Sequence, residues 1–289
     1  MPELPEVEVV KRSLKSSIEK LVIKKIEINE KKLRYKLVKN DLLKLIGLKI
    51  NRVIRRSKYL IFFFNKPMII LVHLGMTGKF FLVNEKDIKF KTSFYYDLKK
   101  DKDEKHDRLI FHFNKKKKLI YNDVRKFGFI KYYDLSSYKN IFHLKNLGPE
   151  PLSVAFNFNY FKKYIFRRKR SIKNLLMDQK FISGLGNIYV NEILFFSRIR
   201  PNRKLHNLKD HEINKIIKYT KKILTNAIAL GGSSIKNFSS SDGKRGGFQQ
   251  NFRVYGKKGK RCSNTDCSEN IIKINIQSRS SFYCPRCQK

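Results

Sequence analysis

Short runs of apolar residues dominate the chain from about residue 21 to about residue 135. Tyr59–Phe64, Met68–Val72, Leu109–Phe113 and Phe127–Ile130 are rich in β-branched or aromatic residues and are bounded by turn residues. Runs of this length and composition predict β-strands rather than helices. We therefore expect this region to form an antiparallel β-sandwich.

Helical patterns flank this region on both sides. Residues 1–20 predict a short extended segment followed by a helix, in which Pro5 lies in the first turn. Glu6 and Glu8 would then lie near the positive end of the helix dipole. Beyond residue 152 the apolar residues recur at helical spacing. The four segments that show this spacing are Asn159–Arg167, Ile172–Met177, Ile188–Arg198 and His211–Leu230.

Three irregular segments suggest the domain organisation. Residues 147–153 (LGPEPLS) contain two prolines and predict a linker, whereas the Gly- and Ser-rich residues 231–251 predict a mobile loop. The charged residues 85–107 predict an exposed loop or hairpin extension. The fold class predicted is α+β. Its parts are an N-terminal helix and β-sandwich over residues 1–135, a linker over 136–152, a helical domain over 153–250 and a cysteine-bearing module over 251–289.

The charge of the chain narrows the choice of partner. Lys and Arg number 65 against 24 Asp and Glu, a formal net charge of +41. Such a surface repels itself unless it meets polyanions, which predicts nucleic acid as the partner and binding that weakens steeply with salt. Mutational bias of an A+T-rich genome is the alternative explanation of the many lysines. The sequence predicts neither a membrane span nor a secretory signal.

All four cysteines lie near the C-terminus, as two close pairs, Cys262 with Cys267 and Cys284 with Cys287. This clustering is typical of one structural Zn²⁺ held by four thiolates, with disulfide pairing as the alternative. The residues between the pairs alternate like two strands, which predicts a β-hairpin finger with Arg279 near its tip. A thiolate site also indicates a reducing compartment such as the cytoplasm.

The N-terminus offers a candidate nucleophile. Met1 precedes a small residue and is normally removed, which would leave Pro2 with a free secondary amine. An α-amino group has a pKa of about 8, against about 10.4 for lysine, so it is far more often deprotonated at neutral pH. Such an amine can attack a sugar C1′ and form an iminium, and Glu3 and Glu6 could move the protons. An ordinary proline-containing helix start is the alternative.

The opening residues PELPEVE resemble those of the bacterial formamidopyrimidine-DNA glycosylases, which repair 8-oxoguanine. Further blocks follow in family order and cover most of the chain. They are RRSKYL (55–60), HLGMTG (73–78), DVRKFG (123–128), LGPEPL (147–152), LMDQKFISGLGNIYVNE (176–192), SDGKRGGFQQNFRVYGKKG (241–259) and the terminal FYCPRCQK.

The resemblance implies a monomeric, bifunctional enzyme of base excision repair. Such an enzyme excises oxidised purines from double-stranded DNA and then cleaves the strand by β,δ-elimination. Pro2 is implied as the nucleophile, Glu3 as the acid and base, and Glu6 as its support. Lys58 matches the family's hairpin lysine and, with Glu3 and Arg279, is implied to donate protons during elimination.

The resemblance also implies a set of DNA contacts. Met76, Arg125 and Phe127 match the residues that fill the gap left by an extruded nucleotide, with arginine facing the orphaned cytosine. Packing inside the sandwich is the alternative for Met76 and Phe127. Residues 184–187 resemble the turn of a helix–two-turn–helix element, for which a glycine-capped helical hairpin is the alternative, and a solvated loop histidine is the alternative for His106. The remaining contacts implied are His106, Lys126, Lys169, Asn187, Lys236 and Arg279.

Three other functions compete with this one. An endonuclease VIII-like enzyme for oxidised pyrimidines would typically open with PEGPE, so Leu4 argues against it. A zinc-finger binding protein without catalysis would not need Pro2 and Glu3, and an RNA-binding factor explains only the charge. The chain departs from the family in the wider spacing of Cys262 and Cys267 and in a longer charged segment before His106.

Overall fold

The structure is a computed structural model that describes residues 1–84, 90–91, 103–233 and 247–289. It contains two compact units. The first combines Met1–Lys145 with Leu230–Gly247, and the second combines Asn146–Ala229 with Phe248–Lys289. Most of the predicted charged loop, most of the Gly- and Ser-rich loop and Lys236 lie outside the described residues.

The first unit opens with helix α1, Leu4–Ile18, which carries Pro5 in its first turn as the sequence predicts. Proline is tolerated there because the first N–H groups of a helix have no partner inside the helix. Val7, Leu14 and Ile18 recur at helical spacing and are buried. The helix therefore turns an apolar face to the core.

Two antiparallel sheets follow α1. The larger has the strand order β1-β7-β8-β5-β6, and the smaller has the order β2-β3-β4-β9. Their bounds are Ile23–Ile28 (β1), Ile50–Arg56 (β2), Tyr59–Phe64 (β3), Met68–His73 (β4), Lys79–Asn84 (β5), Phe90–Lys91 (β6), Asp107–Phe113 (β7), Lys117–Asn122 (β8) and Phe129–Asp134 (β9).

One apolar core holds α1 and both sheets together. Phe62 of the smaller sheet packs on Phe80 of the larger, with ring centroids 6.2 Å apart. Phe80 also contacts Tyr121 of β8, and α1 residues such as Val10 belong to the same cluster. This packing confirms the predicted sandwich. Two short helices of the unit, α2 (Lys39–Leu43) and α3 (Phe142–Lys145), were not predicted because they are too short to show a periodicity.

The second unit is helical, as predicted. Its helices are α4 (Phe158–Ile165), α5 (Ile172–Leu176), α6 (Asn187–Ser197) and α7 (Asp210–Ala229). Asn157 and Ser171 cap α4 and α5 through their side-chain oxygens. Among the helices of the described ranges, none has the length and apolar character needed to cross a bilayer.

The predicted β-hairpin closes the second unit. Strands β10 (Ile272–Ile276) and β11 (Arg279–Tyr283) pair in antiparallel register, with Arg279 beside the turn. Gln277 and Ser278 have φ values of 46° and 58°. Positive φ at both central residues is the geometry of the two-residue turn that matches the twist of the strands.

Candidate active site

The N-terminus of α1 holds the first candidate residues. Pro2 and Glu3 are buried, and the Glu3 N–H donates to Glu6 Oε2 over 2.9 Å. The other oxygen of that carboxylate, Oε1, accepts from the N–H and the hydroxyl of Ser233, over 2.7 and 2.9 Å. Glu6 therefore joins the start of the chain to the segment that follows α7.

Lys58 is brought to the same region by the hairpin of β2 and β3. It is buried and follows Ser57, whose φ of 57° belongs to the tight turn. Arg55 donates to Glu8 Oε2 over 2.9 Å and to the Ser57 carbonyl over 2.9 Å, so it links α1 with this turn. Burial raises the pKa of Glu8, but hydrogen bonds from Lys11 and Arg55 outweigh it and leave that pKa below its ordinary value. The link is thus an ion pair at neutral pH.

The electrostatics of the terminal amine show which side chains surround it. Burial lowers the pKa of the Met1 amine, while the charges of Glu3 and Glu6 act to raise that pKa. Lys58 and Arg125 lower the pKa further. Since each of these charges acts on one nitrogen, residues from α1, a hairpin and a distant loop converge there. An amine with a lowered pKa is more often deprotonated and therefore nucleophilic at neutral pH.

Two loops of the first unit carry the candidate gap-filling residues. Met76 lies between β4 and β5 and is 39% exposed, and Phe127 lies between β8 and β9 and is 45% exposed. The guanidinium carbon of Arg125 lies 4.4 Å from the Phe127 ring centroid. Between them, Lys126 has a φ of 55° and pairs with Glu30 over 2.5 Å. The exposure of Met76 and Phe127 excludes the alternative of packing within the sandwich.

His106 is half-buried beside the second of these loops. Its Nδ1 lies 2.9 Å from Arg108 Nη2, and its Nε2 lies 3.8 Å from an oxygen of Asp103. Its carbonyl accepts from the Asp123 N–H over 3.0 Å. His106 is therefore held by neighbours and is not a freely solvated loop histidine.

His73 is a further residue of this region to which the sequence assigned no role. Its ring stacks on Phe129 with centroids 5.7 Å apart, and its Nδ1 accepts from the Gly75 N–H over 3.0 Å. Burial lowers the pKa of His73 to about 4, and the charges of Lys58, Arg34 and His143 act in the same direction. The neutral ring can therefore hold the start of the loop that carries Met76.

The second unit supports the hairpin that carries Arg279. The Asn187 amide donates to the Ser280 carbonyl over 3.0 Å. Lys173 donates to the same carbonyl over 2.9 Å and to the Ser281 hydroxyl over 2.6 Å. Burial, with a smaller contribution from Arg279, lowers the pKa of Lys173 to about 8. The sequence offered no signal for Lys173, because one lysine among so many cations does not stand out.

Lys169 lies apart from this hydrogen-bonded group. It occupies the connection between α4 and α5 and is exposed. Arg279 is also exposed, and its guanidinium lies 3.9 Å from the Met177 sulfur. Both cations are therefore available to a polyanion.

The comparisons with known proteins agree with this arrangement. The family model of the formamidopyrimidine-DNA glycosylase N-terminal domain matches residues 1–130, and that of the H2TH domain matches residues 147–239. The formamidopyrimidine-DNA glycosylase of Rickettsia canadensis is 42% identical over 288 residues, with 100% of this chain and 99% of the relative covered. The chain belongs to the formamidopyrimidine-DNA glycosylase family. The enzyme of Rickettsia bellii is 41% identical over 289 residues, and both chains are covered completely.

Solved structures of formamidopyrimidine-DNA glycosylases share the fold. A Lactococcus lactis Fpg in complex with DNA that contains an abasic site has a TM-score of 0.84 and 35% identity, and 99% of each chain is covered. The wild-type Lactococcus lactis Fpg with N7-benzyl-Fapy-dG DNA also has a TM-score of 0.84 and 35% identity, with 100% of each chain covered. The predicted α+β fold class and the predicted family are confirmed.

The glycosylase fold of this chain ends in a site that fits a metal ion. The sulfur atoms of the four cysteines lie within 4.8 Å of one another. Cys262 Sγ lies 3.9 Å from Cys287 Sγ, and Cys267 Sγ lies 3.6 Å from Cys284 Sγ. A tetrahedral zinc with bonds of about 2.3 Å separates its sulfur ligands by about 3.8 Å. The wider spacing of the first pair therefore does not prevent the four thiols from converging.

Proposed function

We propose that this protein is a bifunctional DNA glycosylase and abasic-site lyase that removes oxidised purines during base excision repair. The observation that carries the proposal is the convergence of charges from Glu3, Glu6, Lys58 and Arg125 on the amine of Met1, the residue joined to the Pro2 nitrogen. A nucleophilic amine beside carboxylates and cations suits the opening of a nucleoside sugar. Relatives solved with abasic-site and Fapy-dG DNA support the class of substrate.

The chemistry starts once Met1 has been removed and Pro2 carries the terminal amine. The Pro2 nitrogen attacks C1′, the bond between C1′ and the damaged base breaks, and the base leaves with the proton given up by the Pro2 amine. The nitrogen lone pair then forms the iminium as the bond from C1′ to the ring oxygen breaks and Glu3 protonates that oxygen. The resulting iminium withdraws electrons, so the C2′ proton is lost and the 3′ phosphate leaves by β-elimination. In a second, δ-elimination the C4′ proton is lost and the 5′ phosphate leaves, with Lys58 and Arg279 as further proton donors. The product is a gap with phosphate on both sides.

Extrusion of the damaged nucleotide depends on the exposed side chains. Met76 and Phe127 fill the vacated space, and Arg125 donates hydrogen bonds to the orphaned cytosine. Lys126 exchanges its pairing with Glu30 for a phosphate when DNA binds. The other contacts with the DNA backbone are made by His106, Lys169, Asn187, Lys236 and Arg279.

We further infer one structural Zn²⁺ per chain, bound by Cys262, Cys267, Cys284 and Cys287. Four thiolates leave no open position for a water, so the ion stabilises the finger and takes no part in the reaction. Reduced thiols favour a reducing compartment, so we place the enzyme in the cytoplasm. We further propose that it acts as a monomer on damaged double-stranded DNA. The domain limits at residues 135, 152 and 250 remain part of this proposal.

Incubation with a duplex that contains 8-oxoguanine opposite cytosine tests the proposal. The protein should release the base and nick the strand, and borohydride should trap a covalent adduct with abasic-site DNA. Pro2→Gly should slow the lyase reaction, and Glu3→Gln should suppress base release while Glu27→Gln, a surface control, should not. Undiminished activity in protein shown by mass spectrometry to retain Met1 or an acetylated terminus would refute the role of Pro2.

A further inference from the structure

The two loops with exposed side chains are held against each other within the first unit. We define the first wedge loop as residues 74–78, which carry Met76, and the second wedge loop as residues 123–128, which carry Arg125 and Phe127. Exposed apolar side chains on loops are usually mobile, and ordering them on binding costs conformational entropy. Contacts that already hold these loops in place before binding lower that entropy cost.

Asp123 closes the second wedge loop on itself. Its side chain is completely buried, and its Oδ2 accepts from the Gly128 N–H over 2.9 Å. The Tyr121 hydroxyl donates to the same oxygen over 3.3 Å, and the Arg108 Nε donates to the Asp123 carbonyl over 3.0 Å. The carboxylate thus ties the first residue of this loop to its last.

Thr77 joins the first wedge loop to the second. Its hydroxyl donates to Asp123 Oδ1 over 2.5 Å. The same hydroxyl oxygen accepts from the Arg125 N–H over 3.0 Å. The Thr77 hydroxyl therefore fixes the backbone of Arg125 and, through Asp123, the start of the second wedge loop. Met76 is the residue directly before Thr77 in the chain.

The glycines show how closely the backbones approach. A Cβ at Gly75, whose φ is 64°, would collide with the backbone of Phe127 and Gly128. A Cβ at Gly128 would meet the Tyr121 hydroxyl and, at 2.7 Å, the His73 carbonyl. The backbone of Gly75 in the first wedge loop is therefore packed directly against Phe127 and Gly128 of the second.

We propose that Thr77 and Asp123 are positioning residues that hold Met76, Arg125 and Phe127 in one rigid wedge before DNA is bound. This inference rests on the proposed function, because it explains how the gap-filling residues act. A prearranged wedge needs little further ordering as it enters the base stack, so nucleotide extrusion becomes faster. Neither residue needs to touch the substrate.

Thr77→Val tests the proposal, because valine matches the shape of threonine but lacks the hydroxyl. Thr77→Ser is the matched control that restores the hydroxyl. Single-turnover excision of 8-oxoguanine from a duplex requires extrusion. Borohydride trapping on a single-stranded abasic oligonucleotide does not, because no base has to leave a stack. Thr77→Val should slow the first reaction about tenfold and leave the second within about twofold, whereas Thr77→Ser should stay near wild type in both.

Fluorescence of 2-aminopurine placed next to the lesion in the damaged strand, with cytosine kept opposite the lesion, should show slower base unstacking in Thr77→Val at matched thermal stability. The proposal is overturned if Thr77→Val excises the base from the duplex as fast as wild type. It is also overturned if both reactions slow equally, which indicates general damage to the fold. Wild-type protein that neither excises nor traps would instead refute the proposed function, so the two failures can be told apart.

Discussion

Arg55 and Glu8 form an ion pair of 2.9 Å that joins the helix beginning beside Glu3 to the hairpin that presents Lys58. Both side chains are about nine-tenths buried, so solvent screens the pair weakly. Because Lys11 and Arg12 also contact the Glu8 carboxylate, one negative charge offsets three positive ones. This carboxylate therefore supports the relative positions of the candidate catalytic groups.

Glu8→Gln should lower the free energy of unfolding by about 2 kcal/mol, because three cations are left without their shared counter-charge. Asp41→Asn is the matched control, since Asp41 pairs with Lys44 on the exposed surface at 3.0 Å. That change should cost less than about 0.5 kcal/mol. Denaturant unfolding measures both variants. Equal losses in the free energy of unfolding would contradict the stabilising role given to the pairing of Glu8 with its three cations.

Gly75→Ala should be more destabilising than Gly47→Ala, although both glycines have positive φ, 64° and 84°. The left-handed conformation destabilises an alanine at either position by about 1 kcal/mol. At Gly75 the added carbon also collides with Phe127 and Gly128, whereas the described neighbours of Gly47 leave open space. We expect a loss of at least about 3 kcal/mol for Gly75→Ala.

Thermal or denaturant unfolding of the two alanine variants measures this difference. If Gly75→Ala lowered the free energy of unfolding no more than Gly47→Ala, the second wedge loop would have to move away from the added carbon at little cost in energy. Such a result would contradict the close packing of the two loops.

His73 should make the protein lose stability as the pH falls. The folded-state pKa is about 4, below the ordinary 6.5, so the unfolded chain binds the proton first. The contribution of the neutral His73 ring to the free energy of unfolding is complete above about pH 6.5. It is lost progressively as the pH falls towards 4, and the total loss is up to about 3 kcal/mol. His73→Asn removes this titration while keeping an acceptor near the Gly75 N–H.

Unfolding measured at several pH values between 4 and 7 provides the test. The stability of wild type should fall more steeply with decreasing pH than that of His73→Asn. Parallel pH profiles would show that the imidazole is not held neutral by burial.

Zinc removal should weaken DNA binding by disordering the finger that carries Arg279. Elemental analysis should find one zinc per wild-type chain and almost none in Cys284→Ser, because three thiolates hold the ion poorly. We expect DNA affinity to fall at least about tenfold in that variant. Ser263→Ala, an exposed change beside Cys262, should keep both zinc and affinity. Zinc retained in Cys284→Ser would contradict a four-thiolate site.

Much of the fold could be predicted because its signals are local. The apolar spacing of residues 159–167 and 211–230 predicted α4 and α7, and both are confirmed. Helix α2 was missed because five residues carry no readable period. The roles of Glu3, Lys58 and Arg125 stay predictions, of which Glu3→Gln tests the first, although the structure brings their charges to one amine.

The sequence by itself determined the turns, the helix at the N-terminus, the cysteine pairs and the family, since each depends on neighbours along the chain. Only the tertiary structure decided that Thr77 would meet Asp123, 46 residues away, and that Arg55 would reach Glu8. Sheet register and side-chain packing set such contacts, and no local pattern encodes them. The candidate residues that the sequence names singly are thus brought together by the packing of α1 on the β-sandwich.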